Sequence, residues 1–309
     1  MTTKALQWIS AAVAGLVLLV CNDSARACEA GRVEVLVLGS GGPEFDDGRN
    51  SSSYLLLVDG KARILIDLGP GSSHTFGDAG QRYADLDAIL LTHLHVDHSS
   101  DLPAFVKGAY FSRRDRDLPV YGPAANARMP ATTEFVDSLF GRSGAYRYLN
   151  EYVDAESNAE YHLFAIDVPL RRHEMHRYEL ASDIIATATP VHHGPIAAVA
   201  WRLDLQGCAI VFSGDTSNRF GGLTMLSTGA DLAVMHNAVP ENAGRAALNL
   251  HMPPSEIGRI ASDAKVASLL LSHRMRRTLG REEETLAEIR ASFSGPVDFA
   301  EDGDRIGID

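Results

Sequence analysis

The chain has 309 residues, 45% of them hydrophobic and 22% charged, with 27 glycines and 13 prolines. It can therefore bury a full core without disulfide staples, and neither a disordered nor a fibrous chain fits this composition. Forty acidic residues against 28 basic ones give a net charge of −12, which opposes broad attachment to a phosphate backbone unless cations are gathered in one place.

Residues 1–27 carry Lys4 near the start, an apolar run over 9–20, and then Ala25-Arg26-Ala27, a small-x-small peptidase site. This pattern predicts a secretory signal peptide and a periplasmic or secreted protein. The apolar run falls short of the roughly 20 residues a membrane span needs, so no stable membrane anchor is expected after processing. Cleavage removes Lys4, Arg26 and Asp23; two cations and one anion fewer turn −12 into −13. Cys28 and Cys208 are then the only cysteines. They could pair in an oxidising compartment, and two separate, partly buried thiols are an equal alternative.

Beyond the leader, short apolar runs bounded by Gly, Asp and Pro predict strands in two clusters. The first covers 33–38, 54–58, 64–66, 88–91 and 120–121; the second covers 184–188, 198–205, 209–212, 232–235 and 269–271. Helical patterns fall at 102–111, 133–140, 255–264 and 282–293. Two of these open on Pro254-Ser255-Glu256 and on Arg281-Glu282-Glu283-Glu284, with acids in the first turn. Strands and helices mixed in two similar halves predict an α/β fold of four layers, a sheet-on-sheet core with helices outside. The range 28–309 reads as one composite domain. Within it, 124–179 breaks the strand rhythm, is rich in Tyr, His and Arg, and is expected to be a helical insertion or lid.

The most informative stretch runs from Ile89 to His98, where an apolar strand leads into THLHVDH. In extended backbone His93 and His95 project to the same side, and the Asp97-His98 step just beyond can aim two further groups nearby. Imidazole and carboxylate are what zinc and similar divalent ions prefer. Three more apolar strands end in such groups: His192-His193 after 184–188, Asp215 after 209–212, and His273 after 269–271. Together His93, His95, Asp97, His98, His193, Asp215 and His273 are too many ligands for one tetrahedral ion and suit two.

THLHVDH, His193, the SGDT segment and the final LSH resemble the metallo-β-lactamase fold superfamily across essentially the whole mature chain. LGSGGP, SSSYLLLVDGKARILIDLGPG, HHGPIAAVAWR and HMPPSEIGRIA narrow the resemblance to the branch of ribonuclease Z and the arylsulfatase-like or cyclic-phosphodiesterase-like hydrolases. The resemblance implies an αββα sandwich with a dinuclear metal site at the sheet edges. His93, His95 and His193 would hold one ion, Asp97, His98 and His273 the other, and Asp215 would bridge them. The expected cofactor is two divalent ions, zinc first, with manganese or iron accepted by the same ligands. Asp67 would orient ligand imidazoles from beneath. A hydroxide held between the ions would be the nucleophile, so no Ser or Cys is required. Asp97 would also accept the water's proton. His251 would donate to the leaving oxygen or bind substrate, the alternative being a cap on the helix near Pro254. Arg274, Arg276 and Arg277 are candidate anion binders.

Departures from the family sharpen the substrate. The ribonucleases have His-Glu-Ala-Thr where this chain reads Met235-His236-Asn237-Ala238, and an arginine-tyrosine pair where it reads Arg274-Met275-Arg276-Arg277. Asp101 replaces a usual glycine close to the metals. The sequence thus predicts an exported dinuclear hydrolase of a small phosphodiester or related anionic ester. A lactonase or thioesterase is the alternative; a tRNA 3′-processing endoribonuclease and a non-catalytic metal-binding protein rank behind. The expected partner is the small anionic ester, nucleic acid is disfavoured, and a homodimer is compatible with the chain.

Overall fold

The computed structural model describes residue 28 and residues 31–308; the expected signal peptide lies outside the described residues. Six strands come first: Val33–Gly39 (β1), Ser53–Val58 (β2), Lys61–Ile66 (β3), Ala88–Leu90 (β4), Leu118–Pro123 (β5) and Leu163–Val168 (β6). A second series follows: His176–Glu179 (β7), Ile185–Pro190 (β8), Val199–Leu205 (β9), Cys208–Phe212 (β10), Leu232–His236 (β11), Ser268–Ser272 (β12) and Val297–Phe299 (β13). The chain then returns through Arg305–Gly307 (β14) to pair beside β1. Two seven-stranded sheets result, in the orders β14-β1-β2-β3-β4-β5-β6 and β13-β12-β11-β10-β9-β8-β7.

Side-chain alternation explains why these strands read as unbroken apolar runs. On β1, Val33, Val35 and Val37 face the space between the sheets, while Leu36 and Leu38 face outward. On β10, Ile210 and Phe212 face inward and Val211 outward. Both faces of each sheet are covered, so both parities must be hydrophobic. The outer face of the first sheet is covered by Ser72–Asp78 (α1), Leu102–Ala109 (α3) and Thr132–Phe140 (α4), with Val96–Ser99 (α2) at its edge. Gly222–Leu226 (α5), Pro254–Asp263 (α7) and Glu282–Arg290 (α8) cover the second, and Arg245–Leu248 (α6) precedes α7. Three apolar layers between four structural ones make the expected αββα sandwich.

The segment 124–179 differs from the helical insertion expected for it. It contains α4 and a 3₁₀ turn at Arg147–Tyr152, but it also supplies β6 and β7, the edge strands of both sheets. Those strands escape a periodicity reading because an edge strand is only half buried: β7 alternates partly buried and exposed residues, and Phe164 on β6 is exposed.

Cys28 and Cys208 are joined by a disulfide across 180 positions, so the paired alternative is the one realised. It ties residue 28 to the beginning of β10. Trp201 crosses between the sheets, fully buried, its indole N–H donating to the Leu91 carbonyl at 3.0 Å. Beside it the Val199 N–H donates to the Thr92 carbonyl at 2.9 Å, so the strand end carrying His93 is anchored to the opposite sheet. Among the described residues, no helix is long and apolar enough to cross a membrane.

Candidate metal centre

β3 and β4 run parallel, as do β10, β11 and β12, so their carboxyl ends open on one edge of the sandwich. Parallel strands present functional groups there because the loops leaving them are free of the ladder. Gly214 lets the chain turn at once after β10. Its φ is +55°, and a Cβ there would come within 2.7 Å of the Thr92 Cβ, so Asp215 reaches the site only because position 214 is bare. Gly42 approaches the His273 ring for the same reason, a Cβ there lying 2.8 Å from Cε1. Asp67 and His273 themselves adopt left-handed backbone, φ 54° and 51°, a conformation that costs energy in a non-glycine residue and concentrates at functional sites.

The structure brings all seven sequence-derived ligand candidates into one nest, six of them buried and His95 partly exposed. His93, His95, His193 and Asp215 each place a ligand atom within 4.8 Å of the others, and so do His98, Asp215, His236 and His273. Asp215 belongs to both groups. Its Oδ2 lies 3.6 Å from His193 Nε2, 3.8 Å from His98 Nε2 and 3.9 Å from His93 Nε2. Its Oδ1 lies 2.8 Å from His236 Nδ1, 3.3 Å from His273 Nε2 and 3.8 Å from His251 Nδ1. Asp97 Oδ2 sits 3.2 Å from His273 Nε2 and 3.6 Å from His98 Nε2.

These donors fit a pair of divalent cations. His93 Nε2 and His95 Nδ1 stand 3.0 Å apart, and His193 Nε2 is 3.4 Å from the same His95 nitrogen. Burial, and the neighbouring imidazoles after it, hold His93 below the usual histidine range, and burial also lowers His95 and His193. Neutral rings aim converging lone pairs at one point, an arrangement a cation relieves. The second group is charged differently. Burial alone would depress His98, yet the carboxylates of Asp97, Asp67 and Asp215 outweigh it and raise the imidazole to about 10. His98 Nε2 is buried without a hydrogen-bond partner and faces the Asp97 and Asp215 carboxylates, which suits it to hold a cation. Asp97 and Asp215, which burial would raise, are held below the carboxylate range by the histidines around them.

The surrounding shell is built in detail. Asp67 accepts from the Thr92 N–H, the Thr92 hydroxyl and His98 Nδ1, each at 2.7 Å, which leaves Nε2 of His98 facing Asp97 and Asp215. His193 Nδ1 donates to the Leu250 carbonyl at 2.9 Å, directing its Nε2 inward. His192 turns the other way, its Nδ1 2.7 Å from the Ser217 hydroxyl. His251 does not cap α7, whose amino end has no side-chain cap; it is buried against Asp215 and the ring of His193.

One functional residue escaped the sequence reading. His236 ends the apolar strand β11 and joins the second group, although Asp97 was expected there. Both its nitrogens are engaged, Nδ1 with Asp215 and Nε2 with the Tyr54 hydroxyl at 3.1 Å, so it positions the carboxylate rather than competing for an ion. The signal was present, an imidazole where an apolar strand leaves the sheet, as at position 273.

Two expectations are corrected. Asp101 does not face the metals: it accepts from the Ser73 N–H at 2.9 Å and the Ser72 hydroxyl at 3.3 Å in the first turn of α1. Nor are two of the three arginines after His273 free for an anion: Arg274 is buried and paired with Glu282 and Glu301, and Arg276 is paired with Asp46. Arg277 donates from Nε to the Ala238 carbonyl and acts electrostatically on Asp215 and His251, so it stays a candidate.

Residues 62–274 match the family model described as a beta-lactamase superfamily domain. A ribonuclease Z from Mycolicibacterium paratuberculosis is 30% identical over 290 residues, covering 90% of this chain and 99% of the relative. Among solved structures, the metallo-beta-lactamase fold protein YhfI from Bacillus subtilis aligns with a TM-score of 0.68 at 23% identity, over 89% of this chain and 98% of that one. The short form of human tRNase Z aligns with a TM-score of 0.67 at 19% identity, over 89% of this chain and 99% of that one.

Proposed function

From the premise that this chain belongs to the β-lactamase superfamily and is a metal-dependent hydrolase, we propose an exported hydrolase of phosphodiesters or closely related anionic esters. The observation that carries the reading is Asp215, which turns one oxygen to the His93 group and the other to the His273 side. A carboxylate so placed spans two ligand sets. When bound, a pair of divalent cations supplies Lewis-acid polarisation of the scissile group and activation of a water. Zinc suits the imidazole-rich set; manganese and iron are accommodated by the same donors.

The chain's own groups do the rest. Asp97, kept ionised beside His98 and His273, is an acceptor for the water's proton. His251 is pushed down to about 3 by burial, a shift that the His273 and His193 imidazoles deepen and Asp215 opposes. It is therefore neutral at physiological pH, and it meets the leaving oxygen as an N–H donor rather than as an imidazolium. Among the described residues no free thiol is available as a nucleophile, since Cys28 and Cys208 are tied in the disulfide. The same bond supports export: cleavage after Ala27 would leave Cys28 as the first residue, already committed to a bridge that persists in oxidising compartments.

A tRNA 3′-processing endoribonuclease is the second reading, favoured by near full-length similarity to ribonuclease Z. The acidic net charge and the residues at 235–238 and 274–277 weigh against it, as does the packing of 124–179 onto both sheets instead of outward.

Purified protein assayed with its metal content measured, on bis(p-nitrophenyl) phosphate, a homoserine lactone, an aryl sulfate and a precursor tRNA, tests this. Chelator-sensitive turnover of the diester is expected. Activity on the lactone alone overturns the proposal, and preferential trimming of the tRNA moves it to the second reading. Amino-terminal sequencing of exported protein should begin at Cys28.

A further inference from the structure

On the outer face of the first sheet, α1 and α3 leave a groove between them, a cavity of about 480 Å³. That volume lies in the range of about 300–1,000 Å³ common to small-molecule sites. Its floor is aromatic and buried: Phe76 and Phe105 meet edge to face with centroids 5.3 Å apart, and Tyr83 lies beside Phe105 at 6.5 Å. Two small residues one helical turn apart, Ala104 and Gly108, lower the α3 wall, and Phe111 stands just past the helix, 79% exposed. None of the seven ligand candidates lines the groove. It reaches Ser73, whose N–H is taken by Asp101.

The charge at the rim is of one sign. Arg82 and Arg113 both line the groove, and no carboxylate does. Their neighbours in sequence hold them at the same end: Arg114, fully buried, donates from Nη1 to the Tyr83 and Leu86 carbonyls at 3.1 and 2.8 Å. Both rim arginines are exposed, and neither makes an ion pair among the described residues. Lys107 adds a third cation on α3, its ammonium 4.3 Å from the centre of the Tyr110 ring. In a chain of net charge −12, an apolar trough edged by unpaired guanidinia attracts negative charge where most of the surface repels it.

We infer that this groove binds an anionic amphiphile, a single aliphatic chain with a carboxylate head, the chain laid over Phe76 and Phe105 and the head between Arg82 and Arg113. The two oxygens of a carboxylate match the paired N–H groups of a guanidinium. Each methylene withdrawn from water adds about fourfold in affinity. A second copy of the chain fits this surface worse, because a symmetric interface sets a patch against itself and would bring these guanidinia together with no acid between them. The site is separate from the reaction, so it stands whichever ester is hydrolysed.

Gly108 offers a way to block the groove without disturbing the fold: a Cβ there meets nothing within 4 Å, and leucine forms helix more readily than glycine. Calorimetry on metal-loaded protein measures dodecanoate below its micelle concentration, with dodecanol and acetate as comparison ligands, for wild type, Gly108→Leu and the R82Q/R113Q double variant. Wild type should bind one dodecanoate per chain, dodecanol at least tenfold more weakly, and acetate not at all. Gly108→Leu should lose at least tenfold in dodecanoate affinity while its denaturation midpoint equals or exceeds wild type. The double variant should lose about tenfold for dodecanoate and nothing for dodecanol. Should Gly108→Leu lower the midpoint, the double variant decides alone. Equal dodecanoate affinity in wild type and the variants overturns the inference, as does dodecanol binding as tightly as dodecanoate, or uptake of many molecules per chain without saturation. Light scattering supplies the last outcome: a wild-type dimer that Gly108→Leu dissociates, with dodecanoate bound by neither, makes the groove an interface between copies and also overturns it.

Discussion

His236 Nδ1 lies 2.8 Å from Asp215 Oδ1, and the same ring's Nε2 lies 3.1 Å from the Tyr54 hydroxyl. An ionised carboxylate only accepts, so Nδ1 carries the proton and Nε2 accepts from Tyr54. Tyr54 Oη is in turn 2.7 Å from Ser272 Oγ, the residue before His273. Burial pushes His236 down to about 4 and holds the Tyr54 phenol protonated, so this chain of neutral donors keeps its polarity across the working pH range.

Removing that support should loosen the metals before it unfolds the protein. His236→Ala is expected to weaken retention of bound metal by about 10- to 100-fold, the usual scale for groups orienting ligands. His236→Asn, whose amide nitrogen can replace Nδ1–H, should recover much of it, and Tyr54→Phe should fall between. Competition with a coloured chelator measures all three; equal retention in the alanine and asparagine variants would contradict the assignment.

Asp67 presents a different failure. It satisfies two buried Thr92 donors besides His98, so Asp67→Ala strands them, at about 1–3 kcal/mol for each unsatisfied group. Denaturant unfolding of the metal-free protein should show a loss of a few kcal/mol. Asp67→Asn should unfold at nearly wild-type denaturant while holding less metal, because an amide can present its N–H to the His98 ring instead of an acceptor.

The metal-free protein should have a stability maximum near pH 6.5, where an unfolded histidine titrates. His236 and His251 have folded values of about 4 and about 3; the unfolded chain binds more protons than the folded one below 6.5, so stability falls as the medium is acidified. His98, raised to about 10, behaves oppositely: its contribution is complete below 6.5 and disappears as pH climbs through about 10. Loading metal must expel the His98 proton. Calorimetry at pH 7.5 in buffers of different ionisation enthalpy should register proton release, and chemical denaturation across pH should lose its alkaline limb once metal is bound.

Cys28→Ser should cost about 2–5 kcal/mol, the range for removing a native bridge that closes a long loop, here spanning 180 positions. Activity at low temperature should survive. Cys208 opens β10 and Asp215 follows its far end, about 3.3 Å per residue away. Unfolding followed with and without reductant, alongside a diesterase assay, measures both.

Removing both ions with a chelator should abolish turnover yet leave far-UV circular dichroism intact, since the three apolar layers are assembled from side chains outside the nest. Loss of secondary structure on chelation would show instead that metal binding and folding are one event.

Much of this was written locally. Continuous apolar runs at positions such as 33–38 and 209–212 specify strands buried on both faces, and an imidazole or carboxylate where such a run ends marks the sheet edge, as at His93, Asp215 and His273. That information is carried by a few consecutive residues, because side-chain alternation is a local property of the backbone. What depended on distant partners was not legible. The edge strands β6 and β7 lack a double-sided pattern, Asp101 could be assigned only once α1 lay against it, and Arg274 and Arg276 were claimed by Glu282, Glu301 and Asp46 from elsewhere in the chain. Likewise, whether Cys28 met Cys208, and whether His236 served an ion or a carboxylate, followed from which surfaces the two sheets brought together. Sequence supplied the reactive groups and their strand ends; packing chose their neighbours, and charge and hydrogen bonding act through neighbours.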